Sequence, residues 1–339
     1  MKLYSLVALR HAAGRCLTLL AALFSIFIPS ACNHREFLYD EPSGRATVEV
    51  MFDWSADPQA SPRGMTVYFF RSGSKSRAPI AYDFKGRNGG TVSLTPGVYS
   101  AICHNSDSDR HGFVDQDSYD DFGIRLNDHR NAGNLSNSSA VAPHSGDERI
   151  AHFPDSMWVA SIPMFIIEAP APTDTHREII TFAMQPVVHH YTFLIHNPLN
   201  FNNSISVSAS LSGMASTVHP GRSATGDETV THLFNMTPTP DGGLFGEILT
   251  FGHCGSGDIN SRDGGDDSPE KPHVLVVRAS LSDGQNWTSS HDVTDQIHGS
   301  RVPDCVIRLD SIAFPKPTGG SGFSPSVGGW IGSQENVGM

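Results

Sequence analysis

The chain has 339 residues, with 35 acidic against 23 basic side chains and a formal net charge of −12 at neutral pH. That balance argues against nucleic acid or an anionic membrane face as a partner. Its 32 glycines and 22 prolines, only 17% charged residues and no long stretch of 3.6-residue apolar periodicity exclude a mainly helical protein and favour an all-β one with few, short helices.

The amino end reads as an export signal. Lys2, Arg10 and Arg15 precede an apolar run over 16–28, followed by Pro29-Ser30-Ala31-Cys32. The run falls short of the roughly 20 residues that carry a helix across the hydrocarbon core. Small Ser30 and Ala31 place cleavage just before Cys32, whose thiol is then the acceptor that an acyl-transfer system requires; Pro29 departs from the usual aliphatic residue. Residues 1–31 are therefore expected to be a lipoprotein signal peptide, Cys32 the lipid attachment site and 32–45 a tether, with ordinary signal-peptidase cleavage and an incidental cysteine as the alternative. Without the first 31, the remaining 308 residues keep 20 basic and 35 acidic side chains, a formal charge near −15, and their number points to two domains.

The first strand is the clearest. Over 46–54 (ATVEVMFDW), Val48, Val50, Phe52 and Trp54 alternate with Thr47, Glu49 and Asp53, which predicts a strand with one buried face. Strands follow at 65–70 (MTVYFF), 91–94 and 98–105. Between the last two, Pro96 fixes a turn, Gly97 admits positive φ and Tyr99 returns to the core. The stretch 106–146 is rich in Asp, Asn, Ser and Gly and predicts a long surface excursion. Strand signals return at 149–153 and 157–162, and 168–176 is a proline-punctuated loop. The runs 178–185 (EIITFAMQ) and 190–195 (HYTFLI) are separated by Pro186, which cannot donate to a central ladder, so the domain junction is placed there. The same grammar recurs at 204–211, 246–251, 273–281 and 305–312. The expectation is one β-sandwich over 46–186, a second over 187–314, and a Gly/Ser-rich tail over 315–339. Phe323, Val327, Trp330 and Ile331 give that tail an apolar content with no purpose in a free linker, so it docks on its own domain or on a partner.

Three cysteines remain after Cys32, an odd number. Cys103 shares a strand face with Tyr99 and Ala101, and Cys305 with Ile307 and Leu309, so both read as small buried hydrophobes. Cys254 lies in a glycine-rich loop, leaving a bridge to Cys305 and three free thiols both open.

Chemistry-bearing motifs are weak. Asn105, Asp107 and Asp109 mimic the alternating oxygen ligands of a calcium loop, but the twelfth positions, Gln116 or Ser118, supply no bidentate carboxylate, so a solvated loop is expected. Asp263, Asp266 and Asp267 carry even less geometry. His189 and His190 are neighbours on an extended segment and point to opposite faces. His-Glu-x-x-His and paired Cys-x-x-Cys elements are missing from the sequence, as are Gly-x-Ser-x-Gly and a phosphate-binding loop with lysine. No catalytic residue, metal or cofactor is expected.

Several pieces in order resemble one family. They are the tether from Cys32 to Tyr39, Val50-Met-Phe-Asp-Trp54, Met65-Thr-Val-Tyr-Phe-Phe70, Leu211-Ser-Gly-Met-Ala215, Asp292-Val-Thr-Asp-Gln-Ile297, and the closing Phe314-Pro-Lys-Pro317 with Gly322 to Trp330. Together they resemble fimbrillin-like bacterial lipoproteins, related to type V pilus subunits and their lipid-bound anchors and closest to lipoproteins classed as a domain of unknown function. The resemblance implies two tandem transthyretin-like β-sandwiches. It also implies a non-enzymatic, lipid-anchored protein of the outer membrane or cell surface: a fimbrial anchor, accessory subunit or adhesin-like component. Its partners would be outer-membrane lipid, through acylated Cys32, and a fimbrial subunit or other envelope protein. Where stalk subunits carry an arginine-containing segment, this chain has Gln185-Pro-Val-Val-His-His190. Donor-strand assembly would use a groove left by removal of the first strand. Arg45 precedes that strand, but cleavage there would discard the lipid, and anchors of this class keep theirs. Related bacteria attach O-glycans at Asp-Ser/Thr before an aliphatic residue, a pattern matched by Asp155-Ser156-Met157 and Asp310-Ser311-Ile312. The competing reading is a glycan-binding surface lipoprotein, with Trp158 and Trp287 as candidate platform residues.

Overall fold

Alternation of Val48, Val50 and Phe52 with polar neighbours makes β1 (Ala46–Asp53) the middle strand of a small sheet. The computed structural model describes residues 44–73, 78–129, 148–170, 178–254, 271–300 and 304–316. After β1 come β2 (Gly64–Arg71), β3 (Ile80–Lys85), β4 (Gly90–Leu94), β5 (Gly97–Asn105), β6 (His111–Val114), β7 (Gly123–Leu126), β8 (Arg149–Ile150), β9 (Trp158–Ile167), β10 (Glu178–Ala183) and β11 (Gln185–Pro186). The second half holds β12 (His189–Ile195), β13 (Ser204–Ala215), β14 (Thr217–His219), β15 (Ala224–Thr225), β16 (Thr229–Pro238), β17 (Leu244–Thr250), β18 (Val274–Leu281), β19 (Asn286–Asp292), the short helix α1 (Thr294–His298) and β20 (Asp304–Leu309).

The first sandwich stacks the sheet β10-β1-β4 on the sheet β11-β9-β5-β2-β3. β1 runs parallel to β10 and antiparallel to β4. Its inward residues pack with Met65, Val67, Phe69, Tyr99 and Phe182. Pro186 pairs only with Trp158 at the outer edge of its sheet, where a missing N–H breaks no central ladder.

In the second sandwich β13 lies between β16 and β18, while β12 lies between β17 and β20. β16 joins the two layers, because its last residues, Thr237 and Pro238, leave β13 and pair with β17. Phe193 of one layer meets Phe234 of the other with ring centroids 4.7 Å apart. All-β architecture in two sandwiches is thus the fold.

The excursion over 106–146 departs from expectation. Its described part forms the hairpin β6–β7, which continues through β14 and β15 as a four-stranded sheet. Phe122, Ile124 and Leu126 are buried in the second core, together with Phe70 and Ile102 from the first sandwich's second sheet. Three alternating apolar residues suffice to bury this short strand, yet the surrounding Asp and Gly conceal them in the sequence. β8 adds a parallel contact to β16.

The signal segment 1–31, Cys32, the tether as far as residue 43, the Asp263 cluster and the tail beyond Lys316 lie outside the described residues.

Candidate functional site

β1, the strand whose removal donor-strand assembly would require, is deeply seated in the first sandwich. Val48 and Val50 are fully buried, and Leu94 and Phe182 flank them from the neighbouring strands. Gly89 keeps the β3–β4 turn tight against this strand: at φ +77° any Cβ would collide with the Val50 carbonyl. Just ahead of the strand, Arg45 is exposed and bound to β4, donating from Nε to Ser93 Oγ at 3.0 Å and from its terminal nitrogen to Ser93 O at 2.7 Å. At the far end Trp54 is buried and donates from Nε1 to Arg87 O at 3.0 Å. The Arg87 guanidinium stands 5.3 Å from the Trp54 ring centre and donates to the carbonyls of Pro58 and Ala60. An open cavity of about 460 Å³ lies beside it, lined by Met51, Asp53, Trp54, Arg87 and Asn88 among others.

The acidic loop after β5 is a latch built from hydrogen bonds. Asn105 is buried, donates to Asp107 Oδ1 at 2.7 Å and to Ser156 O at 3.1 Å, and accepts from the Trp158 N–H at 2.9 Å. Asp107 in turn accepts from the Arg63 N–H at 2.9 Å, while Asp155 accepts from Ser108 and pairs with Arg110 at 3.2 Å. The side-chain oxygens of Asn105 and Asp107, two of the three residues that resembled calcium ligands, are taken by protein donors. Among the described residues, no group of three or more His, Cys, Asp or Glu is placed to hold a metal ion.

A second charged knot joins β7, β8 and the segment before β16. Glu228 accepts both nitrogens of Arg125 at 2.8 and 3.0 Å and Arg149 Nε at 2.9 Å. Burial pushes this carboxyl up, but the hydrogen bonds from Arg125, Arg149 and Ser216 outweigh it and hold it at about 2.

Cys103, Cys254 and Cys305 are free thiols, so the Cys254–Cys305 bridge does not form. Burial pushes Cys254 up to about 12 and raises the other two as well, which makes all three poor nucleophiles. His189 opens β12 with its side chain inward, whereas the half-buried His190 faces Glu247 at 3.1 Å and Asp304 at 3.7 Å. Trp158 is half-buried, with its indole N–H donated to Asp57 at 2.8 Å, and Trp287 packs on Phe314 at 4.8 Å. Ser156 is exposed; Ser311, expected inside a strand, lies beyond the end of β20 and is exposed too. Sequence spacing gave no hint of a cluster formed by His253, His273 and His298, which come from three separate stretches of the chain.

A curated relative, "Putative fimbrium anchoring subunit Fim4B" of Bacteroides ovatus, is 23% identical over 343 residues, covering 94% of this chain and 96% of its own. A crystal structure described as a "putative adhesin" from Bacteroides ovatus superposes with a TM-score of 0.60 at 18% identity, over 85% of this chain and 98% of that one. "The fimbrial anchor protein Mfa2 from Porphyromonas gingivalis" gives 0.49 at 11% identity, over 78% and 90%. The family model described as "Domain of unknown function (DUF5119)" matches residues 31–235, more than half of the sequence, and the chain belongs to that family.

Proposed function

We propose that the protein is a non-enzymatic component of the bacterial cell surface that anchors a fimbrium or serves it as an accessory subunit, held in the outer membrane by lipid on Cys32. The observation that carries this reading is the end-to-end match to a fimbrium anchoring relative. The seat of β1 supports it. A strand buried between two partners, with Arg45 tied to Ser93, fits a subunit that keeps its first strand and therefore keeps whatever precedes it. A glycan-binding role draws less support, because Trp54 and Trp158 commit their indole nitrogens, and Trp287 its ring, to internal contacts.

One experiment tests both halves of the proposal: fractionation of native envelopes carrying the intact protein or Cys32→Ala. The intact protein should incorporate labelled palmitate, sediment with membranes and co-purify with a fimbrial subunit. Each buried methylene of an acyl chain contributes about 0.8 kcal/mol, so loss of the chains should move the variant to the soluble fraction. Full membrane retention of Cys32→Ala would exclude lipid at that residue, and recovery without any fimbrial subunit would exclude the anchoring role.

A further inference from the structure

Helix α1 is fastened at both ends by a single residue. The His273 N–H donates to Thr294 Oγ1 at 2.8 Å, and its carbonyl accepts from the Val293 N–H at 2.9 Å. At the other end of the helix, His273 Nε2 lies 3.0 Å from His298 Nε2. The direction of that bond follows from the opposite side of the ring. His273 Nδ1 is 3.3 Å from the Ser212 carbonyl, which only accepts, so Nδ1 carries the proton and Nε2 is the bare acceptor for His298 Nε2–H. His253 stacks on His298 with ring centroids 4.5 Å apart and planes 13° apart. Gly213, at φ +84°, closes the site on the β13 side, where a Cβ would lie 2.7 Å from His273 Nδ1 and 2.6 Å from the Pro272 carbonyl.

The middle of the same helix grips a sheet edge. β20 is the last strand of its sheet. The Gln296 side-chain amide donates from Nε2 to Arg308 O at 3.0 Å and accepts from the Arg308 N–H at 2.8 Å. Those are the two bonds that a neighbouring strand would make, supplied instead by one side chain.

We infer that α1 is a proton-sensitive clip: closed, it caps the β20 edge at Arg308 through Gln296, and protonation of His273 releases it and bares that edge. A protonated His273 presents donors at both ring nitrogens, so its bond from His298 Nε2–H is lost and can re-form only if His298 moves its own proton to Nδ1. The charge would also sit against His298 on α1 and His253 after β17. Asp292 at the end of β19 favours it, and Glu148, bound to the Gly213 N–H at 3.0 Å, stands beyond the glycine. Burial first, and then the imidazole of His298, hold His273 at about 4 in the closed state. A released ring titrates near 6.5. Opening therefore takes up a proton, and its equilibrium constant should rise about 30-fold between pH 7.5 and pH 5.

Hydrogen exchange on the intact protein at pH 7.5 and 5.0, corrected for intrinsic amide chemistry, tests this. Protection over 304–309 should fall about 30-fold at pH 5 through opening of α1, beyond any loss shared with 204–211 in β13. Equal protection of 304–309 at the two pH values would overturn the proton sensitivity. Gln296→Ala, at a partly exposed position, should lose the Arg308 protection at both pH values, and unchanged protection there would overturn the clip. His273→Gln should flatten the pH response of 304–309; a full response in that variant would remove His273 as the sensor.

Discussion

Phe52 sits on the inward face of β1 with the rings of Phe84 and Phe182 at 5.6 and 6.2 Å. Phe52→Ala should destabilise the protein by about 3–5 kcal/mol in urea unfolding, through lost transfer energy and the cavity left behind. A loss below about 1 kcal/mol would mean that the ring lies outside the core. Its direction was legible because Glu49 and Asp53 mark the solvent face of the same strand. The same alternation put Cys305 inward with Ile307. It failed at Ser311, which lies past the point where β20 loses its register with β12. Partners across the chain were out of reach of any such rule: nothing in the sequence tells Asn105 that it will meet Ser156 and Trp158.

At the scale of elements, the corner between β4 and β5 shows what turn chemistry predicts well. Tyr99 is fully buried, stacks on Phe165 at 5.9 Å and returns its hydroxyl to the Thr95 carbonyl at 2.8 Å. Tyr99→Phe keeps the ring and removes that bond, so a cost of about 1–2 kcal/mol is expected from chemical denaturation. No loss would show that water satisfies Thr95 equally well. β16 was not legible in the sequence, because Thr231 and His232, both fully buried, break its apolar pattern. Thr231 is paired with Glu148 at 2.5 Å and His232 with the Ala151 carbonyl at 3.3 Å. A strand whose buried residues include polar groups that a distant segment partners, Thr231 Oγ1 and His232 Nδ1, looks like a loop until that segment is in place.

Over the whole molecule, three buried imidazoles set the response to acid. Burial holds His104, His232 and His273 each at about 4, against an ordinary value of 6.5. In the unfolded chain these groups bind protons below about 6.5, and in the fold they do not until about 4, so their full stability is present above 6.5 and is lost as the pH falls through that window. The loss amounts to about 2 kcal/mol per histidine at pH 5, which urea unfolding between pH 7.5 and 5 should register; a flat profile would mean that the rings are solvated. Glu228 acts in a lower window, contributing above about 4.5 and failing as the pH drops towards 2. The placement of β1 has a mechanical meaning as well. A pull applied at Gly44 along the axis of β1 meets a strand held by six register pairs to β10 on one side and five to β4 on the other. The ladder bonds lie across that pull and share it at once, so a tug on the amino end loads the sandwich in shear, where bonds cannot be peeled apart one after another.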